Sequence, residues 1–232
     1  MNIVVLTGAG ISAESGVPVF RGDGGLWEGH RVEDVATPEG FRRDAEMVHR
    51  FYNQRRRKVQ EVEPNAAHRA LAWLARAEGH QLSLITQNID DLHERGGSPE
   101  VLHMHGELLK SRCVACGVVV PCLEDLSRAS ICETCGGIDC LRPHVVWFGE
   151  MPIHLGEIER LLGMADLFVS IGTSGRVYPA AGFVSAAREA GARTLELNLD
   201  PSEQSDAFDE SRFGKAGELV PAWVEEVLGS EA

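Results

Sequence analysis

The sequence predicts an α/β fold built on a parallel sheet, and three observations carry that prediction. Short apolar runs rich in β-branched residues recur at 2–7, 82–86, 167–171 and 194–199, as expected of strands buried on both faces. Helical patterns alternate with them, over roughly 65–78, 155–163, 179–190 and 218–228, which is the rhythm of parallel strands joined by crossover helices. A chain of 232 residues, 44% hydrophobic and 25% charged, can form a deep core without disulfide staples.

The first strand runs into Gly8-Ala9-Gly10-Ile11-Ser12-Ala13. This fits the G-x-G-x-x-G/A fingerprint: a first glycine for the tight turn, a second for close approach to a pyrophosphate, and N–H groups beyond to cradle the anion. The alternative is a plain strand-to-helix turn. A dehydrogenase would place an acid at the end of a second strand about 20 residues on. Here Asp23, Glu28 and Glu33 sit in a loop-like stretch with no strand before them, whereas a later strand ends Glu196-Leu197-Asn198-Leu199-Asp200. Asn198 or Asp200 could meet ribose hydroxyls there, in a site not built for hydride transfer.

Residues 23–64 read as an insertion, a loop followed by a charged helix that ends at Pro64. On that helix Tyr52 and Arg55 stand three apart and so share a face. A phenol beside a guanidinium fork can grip a carboxylate; the alternative is a solvated basic face, to which Arg56, Arg57 and Lys58 are assigned. After the strand at 82–86 come Gln87, Asn88, Ile89 and Asp90, at the strand end where open parallel sheets bind ligands. Asn88 or Asp90 could instead cap the next helix. His103 and His105 share one face of an extended segment. Either imidazole could act as a general base at neutral pH, or be a hydrogen-bonded structural residue.

All six cysteines lie between Cys113 and Cys140. Cys113-x-x-Cys116 and Cys132-x-x-Cys135 form two knuckles separated by fifteen residues, the spacing of a structural zinc held by four thiolates with no open position for a catalytic water. Cys122 and Cys140 are left over as buried small side chains or spare thiols, with Cys140 an alternative ligand to Cys135. This second insertion spans 109–147.

Lys plus Arg total 22 against 35 for Asp plus Glu, a formal charge of −13. That field repels phosphate backbones and argues against nucleic acid as a direct partner. No apolar run approaches the ~18 residues of a membrane span, and the N-terminal apolar stretch has no basic region before it. A cytoplasmic, membrane-free protein is expected, with a monomer favoured.

Several motifs together resemble the sirtuins, the NAD-dependent protein-lysine deacylases. They are Gly8-Ala9-Gly10-Ile11-Ser12, Phe20-Arg21-Gly22 with Gly25-Leu26-Trp27, Gln87-Asn88-Ile89-Asp90, His105-Gly106, the two cysteine knuckles, Leu141-Arg142-Pro143-His144-Val145-Val146-Trp147-Phe148-Gly149-Glu150, Gly172-Thr173-Ser174 and Leu197-Asn198. They occur in order from residue 3 to about residue 228. The resemblance implies a Rossmann-like large domain (1–22, 65–108 and 148–232) with a small domain made of a helical module (23–64) and a zinc ribbon (109–147).

By matching motif, Ala9, Gly10, Ser12, Phe20, Arg21, Gln87, Asn88, Asp90, Thr173, Ser174 and Asn198 are implied NAD contacts, with Ala216 backing the adenine. Gly8, Ala13, Trp27, Ile89, Gly172 and Asp200 complete that candidate set. His105, Asn88 and Asp90 are the implied catalytic residues. The resemblance also implies two edges that clamp the substrate backbone, Val146, Trp147, Phe148 and Gly149 on one side and Gly175 and Val177 on the other. In the family reaction the acyl oxygen attacks the ribose anomeric carbon as nicotinamide leaves. The histidine then takes a proton from a ribose hydroxyl, and the products are nicotinamide, free lysine and O-acyl-ADP-ribose.

Tyr52-x-x-Arg55 is similar to the class III signature for succinyl- and malonyl-lysine, and Ala36 falls where that class keeps a small residue to widen the acyl pocket. A dual deacetylase and desuccinylase is expected. The alternatives are a sirtuin-like protein ADP-ribosyltransferase and a zinc-ribbon module that senses NAD without turnover.

Overall fold

A computed structural model describes residues 1–19, 26, 27 and 29–229. Of the candidate residues, Phe20 and Arg21 lie outside the described residues, as do Gly22 and Gly25. The chain opens with β1 (Asn2–Thr7) and the short α1 (Ala9–Ala13). A hairpin of β2 (Leu26–Trp27) and β3 (His30–Arg31) leads to α2 (Val32–Val35), α3 (Pro38–Arg43) and the long α4 (Ala45–Glu61). Next come α5 (Ala66–Leu74), β4 (Gln81–Thr86), α6 (Leu92–Arg95), β5 (Leu102–His103), β6 (Gly106–Cys113), β7 (Val119–Pro121) and β8 (Leu141–Val145). The chain then runs through α7 (Leu155–Leu162), β9 (Leu167–Ile171), α8 (Phe183–Glu189), β10 (Arg193–Asn198), β11 (Glu210–Phe213) and α9 (Ala216–Gly229).

Six strands form one parallel sheet in the order β11-β10-β9-β1-β4-β5. Alternation along β1 sends its side chains to opposite faces. Ile3 and Val5 pack with Leu71 and Leu74 of α5 and with Trp223 and Val224 of α9. Val4 and Leu6 pack with Ile158 and Leu162 of α7 and with Phe183 and Val184 of α8. Helices on both faces explain why β1 is apolar on both of its sides. Leu71 is fully buried, so its truncation to Ala costs about 2–5 kcal/mol.

The chain crosses from one half of the sheet to the other between β4 on one side of β1 and β9 on the other. Ligands of open parallel sheets bind at such a switch, outside the carboxyl ends of the strands. The glycine loop after β1 and Gly172 after β9 meet there.

The cysteine-rich insertion folds on a separate antiparallel sheet, β7-β6-β8. Gly106 turns the chain from the large sheet into this one with φ +80°, and a Cβ there would collide with the His144 carbonyl. Helix α4 packs on this sheet, with Val48, Phe51, Tyr52 and Val59 against Leu108, Val145 and Trp147. Asp44 caps α4, its carboxylate accepting from the Met47 N–H at 2.9 Å.

One expectation about α4 is corrected. Arg56 is not a solvated residue but wholly buried. It donates to the Leu108 carbonyl at 3.2 Å and to Asn53 Oδ1 at 2.7 Å, while Asn53 exchanges two hydrogen bonds with the Leu126 backbone. Arg56 shares a helix face with Tyr52, Asn53 and Val59, three or four residues away and all buried, so the face that packs on the small sheet carries it inward. Arg57 and Lys58 are exposed as expected. Among the described residues no helix is long and apolar enough to cross a membrane.

Candidate active site

A cleft of about 540 Å³ opens beyond the carboxyl ends of β1, β4, β9 and β10 and runs to α2, α4 and the segment after β8. Ala9, Gly10 and Ser12 line it from the first loop, and Gln87, Asn88, Ile89 and Asp90 from the loop after β4. Gly172, Thr173 and Ser174 follow β9, and Asn198 and Asp200 close the far wall. Trp27, Ala36, Tyr52, His105, Val146, Trp147, Phe148, Gly149 and Val177 complete the expected residues found there. Residues scattered over 192 positions of sequence thus converge because parallel strands end on one side of the sheet.

Five expected residues stand apart from the cleft surface. Gly8 is spent on packing, its N–H donating to the Ile171 carbonyl at 2.9 Å. Ala13 is exposed at the end of α1, and Ala216 packs from the start of α9 against the core beneath. Gly175 lines a small adjoining hollow with Thr173 and Gln204. Arg55 sits behind the wall that Tyr52 forms, its guanidinium 3.1 Å from the Phe51 ring centroid and its Nη1 donating to the Phe51 carbonyl at 2.8 Å. The i, i+3 spacing put Tyr52 and Arg55 on one face, but the long arginine stem folds back over its own helix.

The glycine loop is narrow for a reason. A Cβ on Gly10 would lie 2.6 Å from Gly172 Cα, and one on Gly172 would lie 2.6 Å from the Ile11 nitrogen, at φ +62°. Two backbones touch at the switch point, so neither position has room for a side chain. Asn198 ties the adjoining wall to this junction by donating to the Thr173 carbonyl at 2.7 Å.

His105 joins the two sheets at the cleft. Its Nδ1 lies 3.0 Å from the Gln87 carbonyl oxygen. A carbonyl can only accept, so Nδ1 carries the proton and Nε2 presents a lone pair. Burial pulls the imidazole below 6.5, outweighing the opposing bond to Gln87, and the ring is therefore neutral at pH 7.

The polar groups beside it are fixed by the same kind of bookkeeping. His68 Nδ1 accepts from the Asn65 N–H at 3.3 Å, so its Nε2 donates to Ser12 Oγ at 3.4 Å. Ser12 Oγ also accepts from Asn88 Nδ2 at 3.1 Å and bonds to Asp90, so its own hydrogen goes to that carboxylate. Asn88 is left with Oδ1 unpartnered among the described residues. Burial pushes Asp90 up to about 6 despite bonds from the Leu92 N–H and Ser12. His103 does not share the cleft with His105. Both its nitrogens donate, to the Asn88 carbonyl at 3.2 Å and Glu94 Oε1 at 2.7 Å. Burial opposes its charge, but Glu94 outweighs it and raises the pKa.

Sequence reasoning passed over two carboxylates. Glu196, 1% exposed, accepts from the Ser202 N–H at 3.1 Å and from the hydroxyls of Ser205 and Ser211, shaping the wall that carries Asn198. Glu150 accepts twice from Arg142, at 2.6 and 2.9 Å, and once from the Trp147 N–H at 2.9 Å. An acid inside a β-rich apolar run, as Glu196 is, was the available signal.

The Sγ atoms of Cys113, Cys116, Cys132 and Cys135 all lie within 4.8 Å of one another. Cys113–Cys135 and Cys116–Cys132 are each separated by 3.8 Å, and a tetrahedron of sulfurs about 2.3 Å from zinc has edges of about 3.8 Å. The donor set fits a structural zinc. Cys140 lies 3.6 Å from Cys113 Sγ, outside the four.

The Sir2 family profile matches residues 8–179. An NAD-dependent protein deacylase of Vibrio vulnificus is 58% identical over 98% of this chain and 94% of its own length. One of Yersinia pseudotuberculosis is 59% identical over 97% of this chain and 82% of its own. Among solved structures, a Sir2 homologue bound to NAD aligns with a TM-score of 0.91 at 41% identity, covering all of this chain and 91% of that one. A Sir2 structure with an inhibitor, 2′-O-acetyl-ADP-ribose and a deacetylated p53 peptide gives 0.82 at 31% identity, over 98% of this chain and 94% of that one. With a profile match over most of its length and relatives near 58% identity across nearly all of it, this chain belongs to the Sir2, or sirtuin, family.

Proposed function

We propose that the chain is an NAD-dependent protein-lysine deacylase that removes acetyl groups and short dicarboxylic acyl groups, succinyl and malonyl, from lysine. The observation that carries this reading is the geometry of His105: a neutral imidazole, its tautomer set by the Gln87 carbonyl, with Nε2 free to accept a proton in the cleft. NAD is a co-substrate here, held by the loops around Gly10, Gln87–Asp90, Gly172–Ser174 and Asn198.

Each residue then has a task. Asn88, its amide nitrogen tied to Ser12, offers Oδ1 to a ribose hydroxyl or a positioned water. Asp90 holds that end of the cleft negative above about pH 6. The acyl oxygen bonds to the anomeric carbon as the bond to nicotinamide breaks, and His105 takes the proton of the ribose hydroxyl that attacks the resulting carbon. Lysine leaves with its amine restored, and one water adds to the acyl carbon left bridged between two ribose oxygens, so that one of those bonds opens and the acyl group stays on ADP-ribose as an ester. The N–H groups of Val146, Trp147 and Phe148 are used within the fold, so a substrate strand would pair with the Val146 carbonyl and the Gly149 N–H. Four thiolates hold the zinc, which supports the β6–β8 module.

A pocket with Tyr52 on its wall and the Arg55 cation behind it supports anionic acyl groups. Ala36, 4% exposed at its edge, keeps the entrance wide. The test is NAD-dependent deacylation of matched acetyl- and succinyl-peptides by wild type and Arg55→Met. Desuccinylation should fall by about tenfold or more relative to deacetylation, the loss of one charge-assisted pair. Equal losses on both peptides would refute the dicarboxylic reading.

A further inference from the structure

The segment after β8 is a hub as well as a peptide edge. Its N–H groups reach three parts of the site: Val146 donates to the His105 carbonyl at 2.8 Å and Phe148 to the Ala36 carbonyl at 2.9 Å, while Trp147 donates to Glu150 at 2.9 Å. The Trp147 indole, 2% exposed, lies under the Arg142 guanidinium at 3.3 Å from the ring centroid. Arg142 is itself 4% exposed and held twice by Glu150. Fixed from both sides, the indole donates its Nε1–H to the Tyr52 hydroxyl at 3.0 Å.

The polarity of that bond follows from chemistry. An indole N–H can only donate, so the phenol oxygen accepts, and the phenol's own hydrogen must point elsewhere. No described residue accepts it. Tyr52 lines the cleft, and burial raises its pKa above 10, so the hydrogen stays in place at every working pH. An acyl group that ends in methyl offers that hydrogen nothing, whereas one that ends in carboxylate offers an acceptor.

We propose that Trp147 is a positioning residue for acyl specificity, whose indole N–H keeps the Tyr52 hydroxyl a donor toward the distal carboxylate of a dicarboxylic acyl-lysine. The inference rests on the deacylase reading above and assigns its selectivity to a bond between two modules. A Phe at 147 would keep a ring under Arg142 but let the phenol hydrogen turn back.

The test measures kcat/KM on matched succinyl- and acetyl-peptides, with NAD saturating. Two variants are compared with wild type: Trp147→Phe, and Trp147 replaced by benzothienylalanine, in which sulfur takes the place of the N–H at nearly the same shape. Each is made with Tyr52 and with Tyr52→Phe. The succinyl-to-acetyl ratio should fall about fivefold to tenfold, mostly through KM for the succinyl peptide, and should fall no further when Tyr52 is already Phe. An unchanged ratio in a folded variant overturns the proposal, as does an equal fall in both backgrounds. Wild type that turns over acetyl but not succinyl peptide overturns instead the acyl-class reading on which the proposal stands.

Discussion

Replacing Glu150 by Ala should do more damage than its surface position suggests. Its side chain is 23% exposed, but its partner Arg142 is only 5% exposed and makes two bonds to it. Removing the carboxylate strands a guanidinium that cannot lose its proton. Breaking a buried pair from one side costs about 3–5 kcal/mol, and the partial exposure of Glu150 points to the lower end, about 3 kcal/mol. For a chain of this size that is a fall in Tm of about 6–12 °C. The assay is urea unfolding followed by tryptophan fluorescence with zinc kept bound. The midpoint should drop while the slope holds, since the surface exposed on unfolding is unchanged. Combining Arg142→Met with Glu150→Leu removes both charges and should recover more than half of the loss. A fall of less than 1 °C for Glu150→Ala would mean the pair is solvated, and would refute the view that it locks Trp147.

Two further outcomes follow from the site. His105 must be neutral to accept a proton, and burial has lowered its pKa, so nicotinamide release at saturating substrates should be flat above pH 7. It should decline as pH falls through a midpoint below 6.5; a midpoint above 7 would contradict the burial argument. Stripping zinc with a strong chelator should erase hydrogen-exchange protection over residues 109–147 while β1 and β9 stay protected. Active protein with almost no zinc would contradict the structural role of the four cysteines.

Much of this was legible in the chain because the physics is local. Four buried strands announce themselves as β-branched runs, and β1, β4, β9 and β10 lie within a residue of where those runs fall. A glycine pair after a strand and two cysteine knuckles carry their geometry in their spacing. In the large sheet the strand without a local signal is β11 (Glu210–Phe213), half charged and held by pairing with β10, and β6 and β8 of the small sheet show no β-branched run that would announce them. In the site, residue types were readable but directions were not. Arg56 turns inward and Arg55 folds back over Phe51, because the packing of α4 on β6 and β8 sets those rotamers. The Trp147–Tyr52 bond depends on a fold that brings together positions 95 residues apart, and no periodicity encodes that.

The central claim is that one cleft transfers an acyl group from lysine to ADP-ribose with His105 as the base. Its most direct measurement weighs every product after wild type or His105→Ala is incubated with NAD and an acylated peptide. Wild type should yield nicotinamide, peptide lighter by one acyl group and ADP-ribose heavier by it, in equal amounts. His105→Ala should lose about 10²–10⁴-fold in rate, the usual contribution of a positioned base, while still binding NAD. Peptide that gains ADP-ribose, or a His105→Ala variant as fast as wild type, would contradict the claim.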